Sequence, residues 1–252
     1  MTRILQTRIP YDIAAQRRLP GIQPLGLEDW LIRDEAFAGQ MGYRDRLLAE
    51  RRDAVLTMDE SARAAAEELL DMVLDLAYPG AGAQVTRPDG VIVRIDRADP
   101  MGTLGRLVQE DLCILEKRGE EHVLTAAVLC FPASWMLREK AMRPLTAIHV
   151  PVAEYDENIA ARVQRLFDGV QPGRPLWRFN ALWYADPDLH QPRSVTDRRL
   201  EPGTDVPGYL RSERQSVLRL PKTRGVVFSI HTFVLARADA PEGCDGLARV
   251  DG

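Results

Sequence analysis

Residues 209–236, YLRSERQSVLRLPKTRGVVFSIHTFVLA, decide the fold of this chain. Two β-strand candidates, 209–220 and 226–236, are separated by Pro221-Lys222-Thr223-Arg224-Gly225, which has the proline and glycine of a turn. Strand runs that are joined by so short a turn predict an antiparallel hairpin.

A second hairpin is predicted earlier in the chain. The runs 111–117 and 122–131 have strand character and flank the turn residues Arg118-Gly119-Glu120. Residues 91–95 and 177–185 are further strand candidates. Because no strand–helix alternation supports a parallel arrangement, we expect one antiparallel sheet.

The remaining periodic segments are helical. Apolar residues recur at roughly helical spacing over residues 27–52, and a capping box at 57–60 starts a helix that ends at Pro79-Gly80. A further helix is predicted over 156–167. The order of elements predicts an α+β protein in which the helical first 80 residues form a layer packed on the sheet.

Composition limits the function classes. The 252 residues, 45% hydrophobic and 28% charged, predict a single globular domain over 1–252, with an extended lead-in at 1–26 and a flexible tail at 240–252. The net charge of −4 gives no basic excess, so we predict no nucleic-acid partner. No apolar run approaches 18 residues and no signal peptide is evident, which predicts a cytoplasmic protein without a membrane partner.

Common catalytic and redox motifs are missing from the sequence. It contains no GxGxxG, GxxxxGK[ST], HExxH or GxSxG, so nucleotide-cradling and standard hydrolase functions lack support. The three cysteines, Cys113, Cys130 and Cys244, form no CxxC pair and are too few for a four-thiolate cluster. The chain alone therefore cannot carry an electron-transfer cluster.

The four histidines are too far apart in the sequence to suggest a zinc site. One histidine is nevertheless enough to ligate haem iron, and His149, in the apolar segment 145–152, is the best candidate. The alternative is a buried His149 that hydrogen-bonds to a carbonyl group. We expect His122 and His190 to be exposed, whereas His231 alternates in a strand and faces either the core or a pocket.

Other candidate residues also have two interpretations each. Cys130 is either a core residue or a thiolate ligand of haem. Glu110 and Asp111 are either solvated at a strand start or a counter-charge for a cationic substrate. The arginine-rich segment 209–222 suits carboxylates such as haem propionates, but an edge strand that is ion-paired with Glu213 would have the same composition.

Several segments occur together in a recognisable order. They are VQEDLCIL at 108–115, CFPASW at 130–135 followed by Glu139-Lys140, IHVPV at 148–152, and LRSERQ at 210–215 followed by LPK at 220–222. From about residue 19 to 238, this pattern resembles the haem-binding alpha subunit of haem-dependent oxidative N-demethylase. The resemblance rests on the order and spacing of the segments, because each segment alone is weak evidence for the family.

The resemblance implies a PAS-like antiparallel sheet with helical elaborations that binds haem b. It implies a reaction in which dioxygen and two electrons remove a methyl group from a small secondary amine, such as dimethylamine, as formaldehyde. The family pattern makes His149 the axial ligand of the iron. By the same match, Arg211, Arg214 and Lys222 are candidates to contact the propionates or the pocket.

Further site residues follow from that implied reaction. An alkylammonium substrate favours a carboxylate or an aromatic face, which makes Glu110, Asp111 and Trp135 the candidates to bind it. His231 stands where the family usually carries arginine, and would be a second ligand or a distal hydrogen-bond donor. The sequence also departs from the family pattern after Phe179-Asn180, where a tryptophan usually follows.

The chain would need a partner for such a reaction. With three scattered cysteines and no dinucleotide motif, it requires a flavin or iron–sulfur reductase subunit that passes electrons from NADPH. Two alternatives remain. The first is a non-catalytic PAS-like haem sensor, and the second is a haem-free relative that uses the pocket for a small ligand.

Overall fold

The computed structural model describes residues 3–13, 15, 21–149, 157–197 and 206–250, of which 149 and 157–161 are described by their backbone alone. The strands are β1 (Gln23–Pro24), β2 (Leu56–Met58), β3 (Gln84–Thr86), β4 (Ile92–Arg94), β5 (Asp111–Arg118), β6 (Glu121–Val128), β7 (Leu176–Tyr184), β8 (Tyr209–Arg219), β9 (Val226–Ala236) and β10 (Arg249–Val250). The helices are α1 (Phe37–Glu50), α2 (Arg52–Val55), α3 (Arg63–Ala77), α4 (Pro100–Gly105), α5 (Leu137–Lys140), α6 (Leu145–His149) and α7 (Glu157–Gly169).

Within the described residues, the main sheet has eight strands in the order β1-β7-β8-β9-β5-β6-β2, and β10 pairs with β7. The five long strands, β5 to β9, are all antiparallel to their neighbours. If they are numbered 1 to 5 along the chain, their spatial order is 2-1-5-4-3, which is the order of a PAS-type sheet. The predicted α+β class and both predicted hairpins are confirmed, but the strand predicted at 91–95 belongs to a separate two-stranded sheet, β3–β4.

The β8–β9 hairpin places alternate residues on two faces of the sheet. Glu213 lies opposite Thr232, and the next pair along is Arg214 opposite His231. Because side chains alternate along a strand, these two pairs point to opposite sides. We call the side of Glu213 and Thr232 the front face, and the side of Arg214 and His231 the back face.

Each face is covered by different helices. On the front face, Leu137, Leu145 and Phe167 from α5, α6 and α7 pack in one cluster with Val217 and Ile230 of the sheet. On the back face, apolar residues of α3 and α4 pack against the sheet; this core includes Leu69, Leu70, Met101, Leu104, Leu112, Ile114, Leu218 and Val227. The sheet therefore separates two cores.

The predicted lead-in and tail both contact the sheet where they are described. The backbone N–H of Gln6 donates to the carbonyl of Val234 at 2.9 Å, and the Tyr11 ring lies 4.8 Å from that of Phe179. Near the other terminus, the indole N–H of Trp183 donates to the carbonyl of Cys244 at 2.8 Å. These segments cover the end of the back face that α3 and α4 leave open.

The helix predicted over residues 27–52 is wrong in its first third. The structure has a one-turn 3-10 helix at Leu27–Asp29, and the α-helix begins only at Phe37. The Asp34 carboxylate accepts the backbone N–H of Ala36, while Trp30 is buried and donates to the Ser229 hydroxyl at 2.7 Å. Packing of this segment on the sheet has overridden its helical pattern.

Two glycines in helices should respond oppositely to replacement by alanine. A Cβ on Gly105, at the end of α4, would lie 2.6 Å from Cγ2 of Val128 and 3.0 Å from Cδ1 of Leu48, whereas a Cβ on Gly42, inside α1, meets nothing within 4 Å. We expect G105A to lower the free energy of unfolding by about 1 to 3 kcal/mol. We expect G42A to raise it by about 0.5 to 1 kcal/mol. Chemical denaturation of both variants checks this, and a stabilised G105A would contradict it.

Candidate functional site

A set of polar side chains lies in the middle of the front face. Asn180 of β7, Glu213 of β8 and Thr232 of β9 form one cross-strand row, and Arg178 and Gln215 are paired in the next row. We call these five residues, which occupy two adjacent rows, the polar row. Thr232 and Glu213 are buried, whereas Arg178, Asn180 and Gln215 are half-buried.

Glu213 is the carboxylate of the polar row, and its hydrogen bonds are long. Its Oε2 accepts from Nδ2 of Asn180 at 3.2 Å and from Nε2 of Gln215 at 3.4 Å. Its Oε1 lies 3.4 Å from Nη2 of Arg211. Hydrogen bonds to a charged carboxylate are commonly about 2.7 to 2.9 Å, so these contacts are weak.

Three groups in or beside the polar row lack partners among the described residues. Oγ1 of Thr232 and Nε of Arg211 are buried without a hydrogen bond. The Arg178 guanidinium likewise has no described hydrogen-bond partner, and burial lowers its pKa although the charge of Glu213 opposes this. A desolvated, unpaired cation of this kind favours an anionic ligand.

Half-buried apolar side chains pack on the front-face core, and two of them, Leu176 and Phe228, lie in the cross-strand row next to that of Arg178 and Gln215. They pack on the front-face core without being enclosed by described residues: Trp135, Ile148, Val163, Leu166, Leu176 and Phe228. Nζ of Lys140 lies 5.7 Å from the centre of the Trp135 ring and also donates to the carbonyl of Ile148. The front face therefore combines apolar contact area with an unpaired cation.

Two of the predicted site residues, Trp135 and Arg211, lie on the front face. The Arg211 guanidinium is buried and donates to the carbonyls of Phe131 at 2.7 Å and Leu189 at 3.1 Å. His149, the predicted iron ligand, is the last residue of α6, and its side chain lies outside the described residues. The helix that carries His149 is thus one of those covering this face.

The back face holds Glu110 and His231 in a buried charge cluster. Nδ1 of His231 lies 3.0 Å from Oε1 of Glu110, and its Nε2 lies 3.1 Å from Oδ2 of Asp34. Burial disfavours the charged imidazolium, but the hydrogen bonds to Asp34 and Glu110 outweigh it and raise the pKa of His231 to about 9. His231 is therefore a cation at neutral pH that donates to both carboxylates.

Asp34 is tied into the same cluster from several sides. Burial acts to raise the pKa of Asp34, but the hydrogen bond and charge of His231, with donors from Gln109 and Gln6, lower it to about 2. Oδ1 accepts from Gln109 at 2.8 Å and Oδ2 from Gln6 at 2.9 Å. Oε2 of Glu110, in contrast, is buried without a partner among the described residues. The cluster joins the N-terminal segment to the sheet.

Asp111 lies in a second, separate ion pair. It is buried, and its Oδ1 accepts from Nη1 of the fully buried Arg44 at 2.6 Å. Its two oxygens also accept the backbone N–H groups of Cys130 at 2.7 Å and Phe131 at 2.8 Å. The interpretation of Glu110 and Asp111 as solvated surface residues is wrong, because each is only 1% exposed.

The three predicted cofactor-binding cations are not brought together. Arg214 is on the back face, opposite in direction to Arg211, and its guanidinium lies 5.2 Å from the centre of the Trp177 ring. Lys222 lies in the turn between β8 and β9, where its backbone N–H donates to Oε1 of Glu68 at 2.6 Å. The idea of an edge strand is also wrong, because β8 lies between β7 and β9.

The other ligand candidates are buried in the core. Burial raises the pKa of the Cys130 thiol to about 12, although the Arg44 charge opposes this, so the thiol stays protonated. The predictions that His122 and His190 are exposed are wrong: Nδ1 of His122 lies 2.9 Å from Nε2 of Gln164, and Nδ1 of His190 lies 2.8 Å from the Cys130 carbonyl. Burial also lowers the pKa of His122.

Reasoning from the sequence does not identify the polar row. Arg178, Asn180 and Thr232 are not among the site residues predicted from the sequence, and Glu213 is predicted only as an ion-pair partner. One signal was available, since polar residues at 178 and 180 and at 213 and 215 share the two-residue period of a strand. Two such strands paired side by side place their polar residues in adjacent rows.

The described residues contain no group of three or more His, Cys, Asp or Glu side chains that could hold a metal ion. Nor does any helix in the described ranges have both the length and the apolar composition that crossing a membrane requires.

A comparison with protein families finds a match over most of the chain. The model of the family described as "Haem-dependent oxidative N-demethylase, alpha subunit-like" matches residues 21–242. This range includes all the long strands, the polar row and α1 to α7. The family's description indicates haem dependence, and the resemblance seen in the sequence is confirmed. The chain belongs to the haem-dependent oxidative N-demethylase alpha-subunit-like family.

Proposed function

We propose that this chain binds haem b against its front face and acts as the haem-carrying subunit in the oxidative N-demethylation of a small secondary amine. The observation that carries the proposal is the unpaired, desolvated guanidinium of Arg178 beside half-buried apolar side chains, in a chain of a family named for haem dependence. Haem has an apolar porphyrin and two carboxylates, so its chemistry fits this combination.

The residues of the front face have distinct roles in the proposal. Trp135, Phe228 and Leu176 provide apolar contact area for the porphyrin, and Arg178 pairs with a propionate. His149, at the end of α6, is the proposed axial ligand of the iron. When bound, haem supplies the dioxygen and redox chemistry, while the protein supplies binding, orientation and a water-poor environment.

The proposal assigns no direct contact with haem to the back-face residues. Arg214, His231 and Glu110 lie on the other side of the sheet, and Asp111 is engaged by Arg44 and two backbone N–H groups. These residues hold the scaffold on which the front face is built. Electrons come from NADPH through a separate flavin or iron–sulfur reductase subunit, which is the partner we propose for this chain.

A haem titration tests the binding site. Purified protein should give a Soret band and bind one haem per chain. R178A should weaken haem affinity roughly ten- to hundredfold, because it removes a hydrogen-bonded pair with a charged group. R174A is the matched control, since Arg174 is an exposed arginine four residues earlier and should leave the affinity unchanged.

The axial ligand and the reaction need their own measurements. H149A should lose or shift the Soret band while retaining its circular dichroism, and an unaltered spectrum would refute the assignment of His149. With a reductase, NADPH and a series of secondary amines, formaldehyde should accumulate. Haem binding without turnover of any amine would favour the sensor alternative, and absence of haem binding would favour a haem-free relative.

A further inference from the structure

Glu213 has weaker partners than other buried carboxylates of this chain. The donors to Asp111 lie at 2.6, 2.7 and 2.8 Å, and those to Glu68 at 2.6, 2.7 and 2.6 Å. The three donors to Glu213 lie at 3.2 to 3.4 Å. A carboxylate accepts about four hydrogen bonds, so Glu213 has unused capacity for a stronger donor.

The Arg211 guanidinium does not supply that stronger donor. Its two amino groups are held by the carbonyls of Phe131 and Leu189, at 2.7 and 3.1 Å, both shorter than its 3.4 Å contact with Glu213. Backbone oxygens that are themselves fixed therefore set the position of Arg211. Glu213 is therefore a buried anion whose ion pair with Arg211 is long, at 3.4 Å, and is shared with two backbone oxygens.

An unpaired acceptor lies beside Glu213. Thr232 is its direct cross-strand neighbour, and Oγ1 of Thr232 is buried with no hydrogen-bond partner in the described part of the chain. Directly opposed side chains have Cβ atoms about 4.5 to 5.5 Å apart, so the hydroxyl and the carboxylate can reach one small ligand. A buried hydroxyl without a partner is unfavourable, and this indicates a ligand that completes the site.

From this geometry we propose that Glu213 and Thr232 bind the two N–H groups of a secondary alkylammonium ion. The inference rests on the proposed function and names the residues that recognise its substrate. Aliphatic amines titrate like the lysine side chain, with a pKa of about 10.4, and so carry a positive charge at neutral pH. A secondary ammonium ion has two N–H donors for the two acceptors, a tertiary ion has one, and a quaternary ion has none.

The experiment is a calorimetric titration of haem-loaded and haem-free protein with dimethylammonium chloride. E213Q should weaken binding at least tenfold, because it removes the charge that the ammonium ion pairs with. E116Q is the matched control, since Glu116 is a half-buried carboxylate of the same sheet, and it should bind as the wild type does.

Thr232 provides a second variant that keeps the fold. T232V removes only a hydroxyl that has no partner among the described residues, so it should unfold no more easily than the wild type. It should weaken dimethylammonium binding about three- to tenfold and leave trimethylammonium binding unchanged, because the tertiary ion uses its single N–H on Glu213.

The outcomes separate this inference from the proposed function. Equal ammonium affinity in E213Q and the wild type would overturn the inference, and so would loss of haem binding in E213Q, since the residue would then act on the haem site. If wild-type protein binds no haem, the proposed function fails. Ammonium binding by haem-free protein that depends on Glu213 would still support the inference.

Discussion

Replacing His231 by phenylalanine is expected to lower the free energy of unfolding by about 3 to 5 kcal/mol at pH 7. The imidazolium is buried between Asp34 and Glu110, at 3.1 and 3.0 Å, and its removal leaves two carboxylates inside the protein without their cation. Oε2 of Glu110 already lacks a hydrogen-bond partner among the described residues. The described residues therefore offer no spare donor that could replace the lost imidazolium. Urea denaturation followed by circular dichroism measures the loss.

The matched control is H122F. His122 is also a buried histidine, but burial lowers its pKa and its Nε2 has no described partner, so phenylalanine replaces a neutral ring. H122F should lose only the hydrogen bond with Gln164, or roughly 1 kcal/mol. Equal losses in H231F and H122F would contradict a charged role for His231.

The pH dependence of stability is an independent test of the charge on His231. The pKa of His231 is raised from 6.5 to about 9 in the folded protein. Its stabilising contribution is therefore complete below about pH 6.5 and is lost as the pH rises through 9. Between these values the wild type should lose about 3 kcal/mol that H231F does not lose. Parallel stability curves for the two proteins over this range would refute the assignment.

Replacing Arg44 by methionine is the second substitution with a large expected effect. Arg44 is fully buried, pairs with Asp111 at 2.6 Å, and also donates to the carbonyls of Gly105 at 3.0 Å and Gln109 at 3.3 Å. R44M keeps much of the side-chain volume but leaves Asp111 as an uncompensated buried anion. We expect the free energy of unfolding to fall by about 3 to 5 kcal/mol.

A double-mutant cycle separates charge from packing at this pair. D111N removes the anion, so the R44M/D111N protein should be more stable than the sum of the two single effects predicts, with a coupling of about 1 to 3 kcal/mol. If the two losses simply add, the pair does not interact through charge. Because Asp111 also accepts two backbone N–H groups, neither the single nor the double variant should reach wild-type stability.

The long strands and the hairpins could be predicted because their signals are local. The turns at 118–120 and 221–225 are flanked by apolar runs, and the structure has β5–β6 and β8–β9 there. The first third of the 27–52 segment could not be predicted in this way. The indole N–H of Trp30 donates a hydrogen bond to the hydroxyl of Ser229, almost 200 residues away, and no local sequence pattern contains that partner.

The same limit applies to the candidate site. Asp34 and Arg44 determine what His231 and Asp111 can do, yet His231 lies 197 residues from Asp34 and Asp111 lies 67 residues from Arg44 along the chain. The separation of Arg211 from Arg214 is a different case, since residues three apart in a strand point to opposite faces. Strand periodicity, applied to the charged residues alone, is enough to assign these two arginines to different faces of the sheet.

The alternation of β8 and β9 also has an evolutionary consequence. Glu213 and Arg214 are consecutive residues, as are His231 and Thr232, yet each pair faces two different environments. If Glu213 and Thr232 bind the ligand as proposed, substitutions at these positions would change ligand preference while His231 keeps the ion cluster intact. A change of ligand preference on this hairpin would therefore not require a change in the folded framework.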